Sequence, residues 1–359
     1  MQYPRRASRS VKVGSVTIGG GAPISVQSMT NTDTRDAATT LRQVNELAAA
    51  GCEIVRVAVP DQEAAEALGQ ICRQAPVPIV ADIHFDYRLA LAALAAGAHG
   101  LRLNPGNIGG PERVQAVARA ACERGVPIRV GVNAGSLEKA IREREGGVTA
   151  SGMVESALAQ ARLLEEAGLS DIVISLKASD VPLTIAAYEL AAERCDYPLH
   201  LGITEAGTPM RGTIRSAVGL GALLARGIGD TIRVSLTGDP VEEVQVGYEI
   251  LKALNLRQRG PVLISCPTCG RCEVNLIGLA QQVEQAISGL DLPLKIAVMG
   301  CVVNGPGEAA EADFGVAGGR GRGLIFRQGQ VVRNVTEEEL VPALLAELEA
   351  AYPGPFKKV

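Results

Sequence analysis

The sequence contains no tryptophan, and only 3% of its 359 residues are aromatic, although 47% are hydrophobic. A core of this composition must be built mainly from Ala, Val, Leu and Ile. The sequence also lacks an unbroken apolar run long enough to cross a bilayer, and no secretory apolar stretch follows its basic start. We therefore expect a soluble cytoplasmic protein with no membrane partner.

An excess of charge of one sign is also missing, since the formal net charge is only -4. This balance gives no general reason to expect a nucleic acid as partner. Histidine is rare as well: there are 3 in the chain, and none follows His200. A zinc site in the last third of the chain would therefore have to rely on cysteine.

The 8 cysteines fall into two groups. Four occur singly in periodic segments, where a reducing compartment favours a role as small apolar core residues: Cys52, Cys72, Cys122 and Cys195. The other four lie in the last quarter of the chain and are the candidates for chemistry: Cys266, Cys269, Cys272 and Cys301.

Short β-rich runs alternate with Ala-rich helical segments over about the first 250 residues, the length of one typical barrel domain. The runs, in order, are "ISVQSM", "EIVRVAV", "VPIVADIH", "GLRLNP", "PIRVGVN", "DIVISLK", "LHLGITE" and "TIRVSL". Gly51, Gly97 and Gly168 end helical segments, where a left-handed C′ residue is expected. Eight such units, without a Gly-x-Gly-x-x-Gly after the first strand, predict an α/β fold of the (β/α)8 TIM barrel type.

Polar residues in these strands share one parity, and apolar residues take the other. Asp82 and His84 are one such polar pair, whereas Val55 and Val57 are apolar. Because side chains alternate between the two faces of a strand, the polar set should point into the barrel, towards its C-terminal mouth. The Gly-rich segment that starts at Asn104 is a weaker candidate for the same mouth.

Five cations should converge there from five strands: Arg56, Arg102, Arg129, Lys177 and Arg233. Cations gathered in one enclosed space repel one another and require anions, which Asp82 and Glu205 supply only in part. Salt-bridge networks in a purely structural barrel are one interpretation. The other is a phosphate-bearing substrate, because guanidinium groups match phosphate oxygens. His84 fits a phosphate donor, a proton carrier or a structural role, whereas His99 and His200 are expected to be structural.

The pattern changes near Arg257, so we predict a barrel domain over residues 1–257 and a small α+β domain over 258–359. The second domain should contain a strand at "VLIS", a helix from about Glu273 to Ser288, a hairpin at "LIFRQGQVVRNV" and a closing helix. Thr336 and Glu339 are spaced as a capping box for that last helix.

Three of the cysteines in this domain, in "SCPTCGRC", are each separated by two residues. Such spacing resembles the bacterial ferredoxin run, so with Cys301 these thiols could bind an iron–sulfur cluster. A structural zinc held by four cysteines remains open at this point. A disulfide is disfavoured in a cytosolic chain.

Motifs along nearly the whole chain resemble the 4-hydroxy-3-methylbut-2-enyl diphosphate synthase family of the non-mevalonate isoprenoid pathway. The resemblance rests on "VQSMTNTDT", "ADIHFD", "GLRLNPGNIG", "RVGVNAGSLE", "LHLGITEAG", "CPTCGR" and "MGCVVNGPGEA". It implies an iron–sulfur oxidoreductase with a [4Fe-4S] cluster held by Cys266, Cys269, Cys301 and Glu308. Cys272 has no matching role in the motif. An oxygen ligand is displaced from iron more easily than a thiolate, which suits a catalytic cluster.

The implied reaction is the two-electron reductive ring opening and dehydration of 2-C-methyl-D-erythritol 2,4-cyclodiphosphate to the linear allylic diphosphate. We assign Arg56, Arg102, Arg129 and Lys177 to diphosphate binding. The supporting residues are His84, Asn104, Asn133 and Arg233. Glu205, which follows the seventh strand, is a candidate catalytic acid or positioning group, and an ion-pair partner for the arginines is the other reading.

The resemblance also implies flavodoxin or ferredoxin as electron donor and a head-to-tail homodimer. The last barrel helix should end at the N-terminal face, away from the mouth, so a partner's cluster domain would have to cap each barrel. Two other classes remain possible: an aldolase- or pterin-type barrel enzyme with a structural zinc domain, and a non-catalytic iron–sulfur electron carrier.

Overall fold

A computed structural model of the chain describes residues 4–103, 108–288, 290–301, 311–319 and 321–353. The chain divides into two compact units, Met1–Arg257 and Gln258–Val359. Each unit has a hydrophobic core of its own. Across the described ranges, no helix is both long enough and apolar enough to span a bilayer.

The first unit begins with an antiparallel hairpin of β1 (Ser10–Val13) and β2 (Val16–Gly19). Val13 and Ile18 of this hairpin pack against Ile54 and Val80 in a small apolar cluster. Those two residues lie at the beginning of strands of the main sheet. The hairpin therefore closes the N-terminal end of that sheet.

Eight parallel strands form the main sheet. They are β3 (Ser25–Met29), β4 (Ile54–Ala58), β5 (Ile79–Ile83), β6 (Gly100–Leu103), β7 (Ile128–Asn133), β8 (Ile172–Lys177), β9 (His200–Leu201) and β10 (Thr231–Ile232). Their order is β8-β7-β6-β5-β4-β3-β10-β9. A parallel bridge between Ile174 and Leu199 joins the two ends. The ring is thus closed, and the predicted (β/α)8 barrel is confirmed.

The last two barrel strands are shorter than the sequence indicates. They end at Leu201 and Ile232, so Glu205 and Arg233 lie in the segments that follow. Glu205 adopts a φ of 51°, a left-handed conformation that a regular strand does not contain. Glu205 and Arg233 therefore lie in the loops that follow the C-terminal ends of these two strands.

Helices α1 to α9 belong to the first unit. They are α1 (Ala37–Ala49), α2 (Gln62–Gln74), α3 (Tyr87–Ala95), α4 (Pro111–Arg124), α5 (Lys139–Glu145), α6 (Ala150–Glu166), α7 (Val181–Arg194), α8 (Pro209–Leu224) and α9 (Pro240–Ala253), with a 3-10 turn at Ala134–Ser136. Aspartates whose carboxylates accept a first-turn N–H cap five of them: Asp36, Asp61, Asp86, Asp180 and Asp239. Gly97 and Gly168 follow α3 and α6 with φ of 94° and 91°, as predicted.

The barrel core lies between the strands and the helices. Val55 and Val57 of β4 are fully buried there together with Val44 of α1 and Leu68 of α2. Cys52 belongs to the same core, as expected of an apolar cysteine. The same expectation is wrong for Cys122, which is exposed near the end of α4.

Arg257, the last residue of the first unit, is fixed at the N-terminal face of the barrel. Its guanidinium donates to the carbonyl of Ile24 at 2.8 Å and pairs with Glu53 at 3.2 Å. These partners immediately precede β3 and β4, respectively. The connection to the second unit therefore starts at the face opposite to the mouth.

The second unit is a mixed α+β structure. Its strands are β11 (Val262–Ser265), β12 (Lys295–Met299), β13 (Phe314–Gly319), β14 (Arg322–Arg327) and β15 (Gln330–Thr336), in that order in one sheet. The first three are parallel, and the rest are antiparallel. Helices α10 (Leu276–Ile287) and α11 (Leu340–Ala351) contribute Val283 and Leu344 to its core.

The local structure of the second unit agrees with the sequence in some places and differs from it in others. The hairpin β14–β15 and the capping box of Thr336 and Glu339 are confirmed; a 3-10 turn, Glu337–Glu339, precedes α11. Helix α10 begins later than predicted, because the Asn275 side chain caps it by accepting the N–H of Gly278 at 3.1 Å. Strand β13 was not predicted, since its glycine-rich sequence carries little strand signal.

Candidate active site

Alternate residues of the barrel strands carry charged side chains into the interior. The cationic cup, as we call it, consists of Arg56, Arg102, Arg129, Lys177 and Arg233. Arg102, Arg129 and Lys177 are only 5%, 6% and 7% exposed. All four arginines lie close enough to Lys177 to lower the pKa of its amine, although burial is the largest cause. The structure thus brings together the five cations that the strand parity predicts.

Asp82 is the first of two carboxylates in this cup. It lies 3.7 Å from Arg56 and 3.3 Å from Arg102, and its other contact is His84 at 3.1 Å. Burial alone would raise the pKa of Asp82, but Arg56, the His84 hydrogen bond and Arg102 outweigh it and hold the pKa well below its ordinary value. Asp82 therefore stays ionised and neutralises part of the cup.

The second carboxylate is Glu243 of α9, not Glu205 as the sequence suggested. Glu243 is 4% exposed and lies 3.4 Å from Arg233. It also accepts from the Ser28 hydroxyl at 2.8 Å and from the Leu236 N–H at 3.0 Å. Glu205 is exposed and forms no ion pair with any described residue, so the expectation that it offsets the charge of the arginines is wrong.

Arg129 and Lys177 have only neutral hydrogen-bond partners among the described residues. Arg129 donates to the Gln27 side-chain oxygen at 2.8 Å, and Lys177 Nζ lies 3.3 Å from Nε2 of His200. Burial and the charge of Arg56 lower the pKa of both cations. Burial, then Arg129 and Lys177, lower that of His200, which therefore remains neutral. Among the described residues, these two buried cations therefore have no anionic hydrogen-bond partner.

Buried donors without a partner support the same conclusion. Nε of Arg129, Nε of Arg233 and Nδ1 of His200 are all buried and have no hydrogen-bond partner among the described residues. Buried polar groups in native proteins are nearly always satisfied by protein, water or ligand. Unpaired donors beside an excess of positive charge are therefore suited to phosphate oxygens.

Two glycines make room for the cations. A Cβ at Gly131 of β7 would lie 2.6 Å from Nε of Arg102, and a Cβ at Gly202 would lie 2.7 Å from Nζ of Lys177. Contacts this short do not occur in folded proteins, so a side chain at either position would displace the neighbouring cation. The glycines are therefore part of the cup's geometry.

Two more of the predicted barrel residues, His84 and Asn133, lie at the mouth. The side chain of His84 is 49% exposed, and its ring lies 5.9 Å from that of Phe85. Phe85 is itself 73% exposed. Asn133 ends β7 and is half-buried. Asn104 lies outside the described residues.

The cysteines of the second unit lie near the carboxyl ends of its parallel strands. Cys266 follows β11 and Cys301 follows shortly after β12, and these strands are neighbours in register. The N–H of Gly300 donates to Sγ of Cys266 at 3.2 Å. Cys269 is exposed, and its pKa is lowered by hydrogen bonds with the backbone and side chain of Arg271.

This donor set fits a thiolate-bound metal centre, either an iron–sulfur cluster or a zinc ion. The second unit contains no histidine, its cysteines are free, and an amide donor to sulfur is a feature of cluster sites. Among the residues that the structure describes, no three Cys, His, Asp or Glu side chains already converge as a metal site. Glu308, the predicted fourth ligand, lies outside those residues.

A closed α/β barrel with a cationic interior, followed by an α+β unit that carries four cysteines, defines the class as a barrel protein with a cysteine-bearing second unit. Family comparisons define it further. Residues 8–248 match the family model described as the GcpE TIM-barrel domain, and residues 262–350 match the GcpE protein C-terminal domain. The chain belongs to the GcpE family.

Individual relatives agree with this assignment. A protein of Geobacter sulfurreducens named 4-hydroxy-3-methylbut-2-en-1-yl diphosphate synthase (flavodoxin) is 67% identical over 95% of this chain and 97% of its own. A protein of the same name from Maridesulfovibrio salexigens is 60% identical over 96% of this chain and 97% of its own. The family resemblance inferred from the motifs is confirmed.

A solved structure shows the barrel but not the chemistry. Dihydropteroate synthase from Stenotrophomonas maltophilia aligns with a TM-score of 0.53 over 69% of this chain and 98% of its own. Its sequence identity is 17%, so the likeness concerns the fold alone.

Sequence reasoning missed the residues that complete the cup. Gln27 had a signal, because it shares its parity along β3 with the polar Ser25. Glu243 had none, since helix residues of this kind are usually solvent-exposed. Gly131, Gly202 and His200 acquire their roles only through contacts with other strands.

Proposed function

We propose that this chain reduces and opens 2-C-methyl-D-erythritol 2,4-cyclodiphosphate and dehydrates it to (E)-4-hydroxy-3-methylbut-2-enyl diphosphate. The observation that carries the proposal is the cationic cup, in which five cations face two carboxylates, Asp82 and Glu243. The excess of positive charge matches a compact substrate with two phosphate groups. Family membership favours this reaction over a zinc-containing aldolase- or pterin-type enzyme and over a simple electron carrier.

In this proposal Arg56, Arg102, Arg129 and Lys177 hold the two phosphates. Arg129 and Lys177 gain most from the substrate, because they are buried beside neutral partners. The supporting positions belong to His84, Asn104, Asn133 and Arg233. Glu205, at the mouth, donates a proton or orients the substrate.

Cys266, Cys269, Cys301 and Glu308 would hold a [4Fe-4S] cluster. When bound, the cluster supplies two electrons, one at a time, and a Lewis-acidic iron for the substrate oxygen that leaves. Glu308 serves as a displaceable oxygen ligand, whereas the three thiolates retain the cluster. Flavodoxin, which the relatives carry in their names, is the proposed electron donor, and ferredoxin is the alternative carrier.

In a head-to-tail homodimer, the cysteine unit of one copy could reach the cationic cup of the other. Arg257 is held at the N-terminal face of the barrel by Ile24 and Glu53, while the cup opens at the other end. We propose that the cysteine unit of one copy serves the barrel of the other.

Complementation between two inactive variants tests this arrangement. Arg129→Ala should abolish substrate binding by the barrel, and Cys266→Ser should abolish cluster binding by the second unit. If sites form between copies, a refolded equal mixture should recover about a quarter of the parental turnover, because half of the dimers are mixed and each has one intact site. Sites formed within one copy predict no recovery.

Binding to Arg56→Ala tests the substrate assignment. Calorimetry on the anaerobic, unreduced holoprotein should show affinity for the cyclodiphosphate weakened about 10- to 100-fold, the effect expected from one charge-assisted contact. Iron content should be unchanged. Arg42→Ala on exposed α1 is the matched control. Unaltered affinity in Arg56→Ala would refute the role of the cup.

A further inference from the structure

The peptide of Gly300 is held on three sides. Its N–H donates to Sγ of Cys266 at 3.2 Å, and its carbonyl accepts the N–H of Glu273 at 3.0 Å. On the third side, a Cβ at Gly300 would lie 2.7 Å from Sγ of Cys272 and 3.1 Å from Leu276. The space of the missing side chain is therefore occupied by the Cys272 thiol.

The fold creates this arrangement through two neighbouring strands. Ser265 of β11 pairs in register with Val298 of β12, and the N–H of Cys266 donates to the Val298 carbonyl at 3.3 Å. The chain after β12 therefore passes directly beside Cys266. Only a residue without a side chain can bring its amide to the sulfur while Cys272 lies against its Cα.

The Cys272 thiol is engaged in this packing. It is half-buried in the apolar cluster of the second unit and donates to the carbonyl of Val274 at 3.2 Å. The N–H of Cys272 donates to the carbonyl of Cys269 at 3.0 Å, which closes the turn between the two cysteines. Cys272 thus ties the turn that carries Cys269 to the segment that carries Gly300.

We infer that Gly300 is a positioning residue of the iron–sulfur site, which brings its amide to Cys266 because it has no side chain, and that Cys272 fills the space of that side chain as a packing residue and not as a ligand. This inference rests on the proposed function. An N–H donor draws electron density from a thiolate ligand and makes reduction of a cluster easier. Gly300 therefore sets the reduction potential rather than the presence of the cluster.

Gly300→Ala tests the inference, because the new methyl group must displace Cys272 Sγ and with it the amide. We expect the variant to retain iron and sulfide, and the midpoint potential, followed by EPR during an anaerobic redox titration, to move to a more negative value. Cys272→Ala, the companion variant, should keep both its iron and a potential close to that of the parent. An unchanged potential in Gly300→Ala, or lost iron in Cys272→Ala, overturns the inference.

The double variant Gly300→Ala/Cys272→Gly restores the space and separates this effect from general damage. Its potential should return towards the parental value, and its iron should return if Gly300→Ala alone loses iron. Failure to recover either property overturns the inference. In the unmodified protein, proton ENDOR in H2O and D2O should reveal an exchangeable proton coupled to the cluster, and its absence has the same consequence. An unmodified protein without iron would instead refute the proposed function.

Discussion

Lys177 Nζ lies 3.3 Å from Nε2 of His200 in the barrel interior, where the two residues are 7% and 0% exposed. In its protonated form Lys177 has no acceptor, so in that form the ring nitrogen accepts and His200 is neutral. The buried positive charge therefore has a hydrogen-bond partner but no counter-charge at this point. Such a cation is unfavourable for folding and favourable for binding an anion.

Lys177→Met should therefore stabilise the protein while it abolishes substrate binding. Replacing a poorly compensated buried charge by an apolar chain of similar length raises the free energy of unfolding by about 1 to 4 kcal/mol. Thermal denaturation and calorimetric binding measure the two effects. Lys139→Met, at a lysine that is 89% exposed, should change neither. A destabilised Lys177→Met would contradict the electrostatic interpretation.

The same substitution predicts a pH dependence of stability. Burial and Arg56 hold the pKa of folded Lys177 well below its ordinary value. Between that pKa and the unfolded value of about 10.4, the unfolded chain binds more protons, so stability of the parent rises with pH. The advantage of Lys177→Met should be largest at low pH within this window and shrink towards pH of about 10. A constant advantage would exclude Lys177 as the titrating group.

Asp82→Asn should lower stability at neutral pH and much less in acid. The pKa of Asp82 is held below its ordinary value, so its contribution is present above the unfolded pKa of about 4 and is lost as pH falls further. Removal of a buried partner charge costs about 3 to 5 kcal/mol. Denaturation curves at several pH values check whether parent and variant converge in acid. A stability difference that stays constant with pH would show that folding does not shift the pKa of Asp82.

Gly131→Ala should impair binding without unfolding the barrel. The new Cβ would lie 2.6 Å from Nε of Arg102, so the guanidinium must move, and misplacement by about 1 Å can cost about 100-fold. Gly221→Ala on α8 is the matched control, because a Cβ there meets nothing within 4 Å. Affinity for the cyclodiphosphate should fall only in the first variant. Equal affinities would mean that Arg102 does not bind substrate.

Glu243→Ala should destabilise the mouth, because Arg233 and the N–H of Leu236 both lose their acceptor. Loss of a buried ion-pair partner predicts a decrease of about 3 kcal/mol in the free energy of unfolding. The neighbouring Glu242 is exposed, and Glu242→Ala should have little effect. Chemical denaturation of the two variants compares them directly, and similar stabilities would remove Glu243 from the cup.

Much of this molecule was predictable because its signals are local. Alternation along β5 and β6 places Asp82 and Arg102 on one face of the sheet, whatever the rest of the chain does. Aspartates such as Asp61 begin helices through contacts within one turn, and Gly97 ends one in the same local way. The family motifs are equally local, since they are read as short strings.

Local patterns along the chain therefore specify the order of the elements, the inward face of each strand and the presence of the cation and cysteine sets. The tertiary structure decided which groups meet across the barrel and between neighbouring strands. Glu243, rather than Glu205, neutralises Arg233, and His200 faces Lys177. In the second unit, Gly300 lies beside Cys266. These contacts depend on ring closure and strand register, which bring together residues far apart in the chain and leave no local signal in the sequence.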